Sequence, residues 1–242
     1  MNRKSKELFC LIVLLNLGLV VYFMFFIYMK DNDEVSLVSN AINSVVEVFA
    51  LDVEGNQLNG TGFVVNTEGY IITNKHVVFN SENQTLYTEL KARFFDSDVY
   101  INLELISLSE TDDLALLKLK VEDTYFDYLS FEDSSNILYG ENIFCIGNIQ
   151  GYGLSVIFGN VAAPKKEVIY NDSKIIAIQL DLDISPGVSG GPIINYNGDI
   201  IGIATFRLLN SSNEIIDGMN FALPSDRILK LLIDNEITYS MN

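Results

Sequence analysis

Hydrophobic positions divide the chain into three unlike stretches. From Leu8 to Met29 they are nearly continuous: 22 residues carry no charge and Asn16 is the one polar interruption. As a helix this run is about 33 Å long, enough to cross a bilayer. Val35, Val38, Ala41 and Ile42 then recur at helical spacing and predict a short helix within a linker, residues 30–43. From residue 44 the period becomes that of strands. Val45–Ala50, Thr61–Asn66, Gly69–Thr73, Leu86–Phe95, Val99–Ile106 and Leu114–Leu119 form one set of short apolar runs. Asn142–Gly147, Ser155–Val161, Lys174–Leu180, Pro192–Asn195, Ile200–Phe206 and Met219–Leu223 form a second. The segments between them are rich in Asn, Gly, Asp and Ser, as turns require, and Asn197-Gly198 is a strong hairpin signal. Pro224 and Ser225 open a terminal helix, 225–236, with Ser225 as its N-cap and Ile228, Leu231 and Leu232 as its apolar face.

Two sets of six strands predict an all-β domain over 44–242, built from two six-stranded antiparallel barrels, about 44–120 and 137–224. Val121–Asn136 is the crossover. About 200 residues suffice for a full core. Cys10 and Cys145 are the only cysteines and lie in the first apolar run and in a strand. No disulfide within the domain and no zinc spacing follow, so the core alone must hold it together.

Charge orients the first stretch. Residues 1–7 carry Arg3, Lys4 and Lys6, whereas Lys30 to Glu34 is mostly acidic. The run exceeds a usual signal-peptide core and no A-x-A site follows it. A retained, single-pass signal anchor is therefore expected, residues 1–7 in the cytoplasm and the domain outside. The net charge of −17 excludes a nucleic-acid partner, since no basic stripe exists to neutralise phosphates. It serves solubility first, and secondly a field that draws basic polypeptide.

Candidate chemistry concentrates in S-P-G-V-S-G-G-P, Ser185 to Pro192. Ser189 stands among glycines that can turn the backbone sharply and aim N–H groups at a reacting atom. The motif also fits the nucleophile elbow of α/β-hydrolases, or a plain glycine-rich turn. The single histidine, His76, weighs against the elbow, in which the histidine follows the serine. His76 ends an apolar strand. Asp113 precedes another, Leu114 to Leu119, where a buried carboxylate can orient an imidazole; Asp112 is the alternative.

Three blocks in this order, Gly60 to Val78, Asp113 to Leu119 and Ser185 to Asn195, resemble the signatures of chymotrypsin-fold serine proteases, and are most similar to the HtrA (DegP-like) branch. Met219 to Asp226 resembles that branch's end of the protease domain. The resemblance implies a serine endopeptidase acting on unfolded or exported polypeptides, with a triad of His76, Asp113 and Ser189. It implies an oxyanion hole from the N–H groups of Gly187 and Ser189, and no metal or organic cofactor. Asp183, six residues before Ser189, corresponds to the base of the S1 pocket in trypsin-like enzymes, and Thr205 is a second candidate for substrate contact. The branch often forms trimers, which allows a homo-oligomer, although no feature of the sequence decides it. No PDZ domain is expected after the terminal helix. Val188 departs from the pattern, an acid in disulfide-bearing trypsins and commonly asparagine in HtrA proteins. Without a polar side chain there, the loop Asp183–Val188 is expected to be mobile and ordered by substrate. A weak or inactive binding or sensor module on the same fold is the alternative function.

Overall fold

A computed structural model describes residues 3–81, 83–170, 173–209, 212 and 214–242. The chain divides into two compact units, one up to Ser39 and one from Asn40 to Asn242.

In the first unit the backbone is helical from Arg3, and this helix, α1 (Arg3–Ile42), is continuous. The linker with a separate short helix expected at 30–43 is thus absent. No proline and no glycine falls between Gly18 and Ile42, so nothing in the sequence stops the helix. Among the described residues no helix is long and apolar enough to cross a membrane. The transmembrane segment expected over Leu8–Met29 is therefore not supported by the structure. Within that span the side chains of 8–11 and 25–29 lie outside the described residues.

The second unit is mostly β. Its first half contains β1 (Val45–Leu51), β2 (Gln57–Val64), β3 (Tyr70–Thr73), the one-turn helix α2 (Lys75–Val78), a small hairpin of β4 (Phe79–Asn80) and β5 (Thr85–Leu86), then β6 (Glu89–Phe94), β7 (Ile101–Leu108) and β8 (Ala115–Leu119). The order β1-β2-β3-β8-β7-β6 closes on itself, because β1 pairs with both β2 and β6. Val46, Val48, Val64, Ile71, Ala92 and Leu117 fill the interior. Most of them lie in the short apolar runs that marked these strands in sequence.

The second half contains β9 (Asn142–Asn148), β10 (Leu154–Tyr170), β11 (Ser173–Asp181), β12 (Pro192–Asn195), β13 (Ile200–Leu209), β14 (Ile215–Pro224) and the helix α3 (Ser225–Asp234). It closes in the order β10-β11-β14-β13-β12-β9 around Ile143, Cys145, Ile178, Ile193 and Ile201. The strand expected at Ser155–Val161 runs on to Tyr170, through register shifts between Val161 and Lys166. This long hairpin covers a small separate cluster of Ala177, Phe206 and Phe221. The turn at Asn197-Gly198 is as expected, with Gly198 at φ 94°. Pro224, not Ser225, occupies the cap of α3; the Ser225 hydroxyl donates instead to Glu132 O at 2.8 Å.

Burial pushes the Cys145 thiol up to about 12, which suppresses the reactive thiolate at neutral pH. In a Cys10→Ser protein, thiol reagents should therefore modify Cys145 only as fast as the domain unfolds. Rapid modification of the native protein at pH 8, followed by mass spectrometry, would show that the core is open.

Candidate active site

Strand β3 delivers the chain to the rim of the first barrel. Asn74 follows it and is fully buried. Its Nδ2 donates to Asp113 O at 2.8 Å and to Thr205 Oγ1 at 3.2 Å, which ties the first barrel to β13 of the second. The single turn of α2 then lifts His76 to the surface, where its side chain is 39% exposed. Asp113 lies just before β8 and is only 8% exposed. It holds His76 twice: the backbone N–H donates to Oδ1 at 2.9 Å, and Nδ1 meets Oδ2 at 2.6 Å. A third donor, the Tyr170 hydroxyl, reaches Oδ2 at 2.8 Å. Burial alone would push the Asp113 carboxyl up, but the hydrogen bonds and charge of His76, with the Tyr170 hydroxyl, hold it below its ordinary value. Asp112, the alternative acid, faces elsewhere, accepting from Thr111 Oγ1 at 2.8 Å and pairing with Arg227 at 3.4 Å.

Ser189 occupies the tight turn before β12. Gly187 and Gly190 stand at φ 91° and 89°, a region that side chains disfavour. A Cβ on Gly187 would strike Asn148 O, and one on Gly190 would strike Thr61 O and Thr73 Oγ1. The turn is held on all sides. Gln150 N donates to Pro186 O at 2.8 Å, Thr61 Oγ1 to Gly187 O at 2.7 Å, Thr61 N to Ser189 O at 2.9 Å, and Gly190 N to Ala204 O at 2.9 Å. Among the described residues, the N–H groups of Gly187 and Ser189 have no acceptor. They are left available to an oxygen arriving from outside.

The loop expected to be loose at Val188 is therefore firmly bonded. Val188 is fully buried and belongs to the core of the second barrel. Its N–H also donates to Ser185 O at 3.1 Å, and its carbonyl accepts from Gly191 N at 2.8 Å. Burial of an apolar side chain does the anchoring that an ion pair would do elsewhere.

The structure thus joins His76 to Asp113 directly and ties Ser189 to β2 through its backbone. The Ser189 hydroxyl itself makes no hydrogen bond among the described residues. Thr205 is buried, and its hydroxyl donates to Ile203 O at 2.9 Å, so that group is engaged inside the protein. Asp183 is exposed and accepts from Ser185 Oγ at 3.1 Å. Among the described residues no cluster of His, Cys, Asp and Glu could hold a metal ion. Tyr170 escapes a reading by strand pattern, because that strand was expected to end at Val161. The run Val168-Ile169-Tyr170, followed by Asn171-Asp172-Ser173, was the available hairpin signal.

A family model described as a trypsin-like peptidase domain matches residues 60–203. A probable periplasmic serine endoprotease DegP-like from Hahella chejuensis is 34% identical over 176 residues, 73% of this chain and 35% of the relative. Its counterpart in Chlamydia pneumoniae is 34% identical over 185 residues, 75% of this chain and 36% of the relative. The chain thus spans about a third of the length of these relatives. Among solved structures, the HtrA-type protease AlgW with a tripeptide matches with a TM-score of 0.71 at 25% identity, covering 82% of this chain and 62% of that one. Deg5 matches with a TM-score of 0.69 at 27% identity, covering 86% and 98%. The chain belongs to the trypsin-like peptidase domain family, and its fold is similar to that of HtrA-type proteases.

Proposed function

We propose that this chain is a membrane-anchored, extracytoplasmic serine endopeptidase that cleaves unfolded or exported polypeptides through an acyl-enzyme on Ser189. The observation that carries the reading is the double hold of Asp113 on His76, and the glycine turn at Ser189, whose Gly187 and Ser189 N–H groups have no acceptor among the described residues, supports it. With Nδ1–H donated to Asp113 Oδ2, the Nε2 lone pair of His76 is the basic one and can take the Ser189 proton. Ser189 Oγ then attacks the peptide carbonyl, and the oxygen of the tetrahedral intermediate receives the N–H groups of Gly187 and Ser189. The imidazolium, stabilised by the Asp113 carboxylate, returns the proton to the leaving amine, and water completes the cycle by the same route.

Placement outside the cytoplasm has two supports. The relatives are named as periplasmic endoproteases. In this chain the uncharged run Leu8–Met29, basic before and acidic after, fits a retained anchor with its N-terminus in the cytoplasm. A polypeptide substrate follows from the peptidase family, and the acidic surface favours basic, unfolded segments.

A fluorophosphonate probe should label the wild-type protein at Ser189. The Ser189→Ala variant should not label and should lose about 10⁶-fold in peptide hydrolysis. A folded wild type that resists the probe would favour a binding module. The full chain should stay with the membrane pellet through alkaline carbonate extraction, and its release into the supernatant would sink the anchor. Because the native Asp113 carboxyl titrates below its unfolded value, its contribution to stability is complete above about pH 4 and is lost as pH falls further. The urea-unfolding stabilities of wild type and Asp113→Asn should therefore converge as pH falls from about 4 towards 2. A gap that widens on acidification would reverse the sign.

A further inference from the structure

We infer that Tyr170 is a positioning residue of the triad: from the second barrel it fixes and partly neutralises the carboxylate that orients His76. The inference rests on the catalytic reading of His76 and Asp113. Three observations point the same way. The Tyr170 hydroxyl lies 2.8 Å from Asp113 Oδ2, the oxygen that also meets His76 Nδ1. Tyr170 ends β10, so a donor from the second barrel meets an acid of the first. Its ring cannot swing freely, because it stacks on Phe206 with centroids 4.1 Å apart and planes 15° from parallel, and Phe206 stacks on Phe221 at 5.1 Å. Ile169, the next residue back, points the other way and is 71% exposed, as strand alternation demands.

The alternatives for Oδ2 are few. His76, Asp113 and Tyr170 line one open cleft together with Lys75, Glu110 and Asp112. Lys75 Nζ donates to Ser109 O at 3.1 Å, and Asp112 pairs with Arg227. Glu110 is exposed and has the same sign as Asp113. Tyr170 is thus the donor that shares Oδ2 with the imidazole. A donor on a carboxylate disperses its charge and weakens its pull on a proton nearby. Removing the phenol hydroxyl should leave a more basic imidazole, held less firmly in the orientation for attack.

The chain has one histidine, so the imidazole titration can be followed by NMR without assignment, and with or without activity. In Tyr170→Phe, which keeps the stacked ring, the His76 midpoint should rise by about half to one pH unit and the Nδ1–H resonance should move. The kcat/KM for a peptide should fall about tenfold, its acidic limb moving to higher pH, in a protein that is still folded at the assay temperature. In an Asp113→Asn background the same substitution should shift nothing further. An unchanged His76 titration in folded Tyr170→Phe overturns the inference. Because that readout is independent of turnover, failure of the fluorophosphonate reaction in wild type refutes the enzyme reading separately.

Discussion

A carboxylate taken out of water is costly unless its oxygens are occupied, and Asp113 meets that condition with donors from distant parts of the chain. Both donors on its oxygens from the first barrel belong to His76, and the third comes from β10 of the second. The aspartate is therefore a node that neither barrel completes alone. Asn74, bonded at once to the Asp113 carbonyl and to Thr205, repeats the arrangement one layer deeper. The arrangement makes the imidazole orientation a property of how the two barrels dock, not of one loop.

The turn around Ser189 obeys a similar logic with backbone groups. Donating N–H groups must point at an empty place, and a buried backbone tolerates that only if its carbonyls are satisfied elsewhere. Thr61 serves three contacts at this point: its hydroxyl donates to Gly187 O and accepts from Asn148 N, and its own N–H donates to Ser189 O. Glycine at 187 and 190 is what lets Asn148 O and Thr61 O approach the turn so closely.

Much of this was legible in the residues. Short apolar runs between turn-rich segments marked most of the twelve barrel strands, and the one histidine, with an acid before an apolar strand and a serine among glycines, marked the chemistry. What escaped depended on tertiary context. The extension of β10 to Tyr170 crosses Pro164 and two lysines, which break any simple alternation, and it is stabilised by pairing with β11 and by packing against Phe206. Val188 was misjudged because a side chain's polarity says what it can bond, not which core lies beneath it. The break expected between α1 and a later helix came from the charged run Lys30 to Glu34, but charge alone does not end a helix.

The Thr61–Gly187 bond joins residues 126 positions apart. Contacts of that span form late, because a long loop must close before they contribute. A chain emerging from a ribosome holds the complete first barrel, histidine and aspartate included, well before Gly187 exists to accept the Thr61 hydroxyl. The hole remains unshaped until the last strands arrive. The two halves of the candidate site are thus joined only once both barrels have formed and docked.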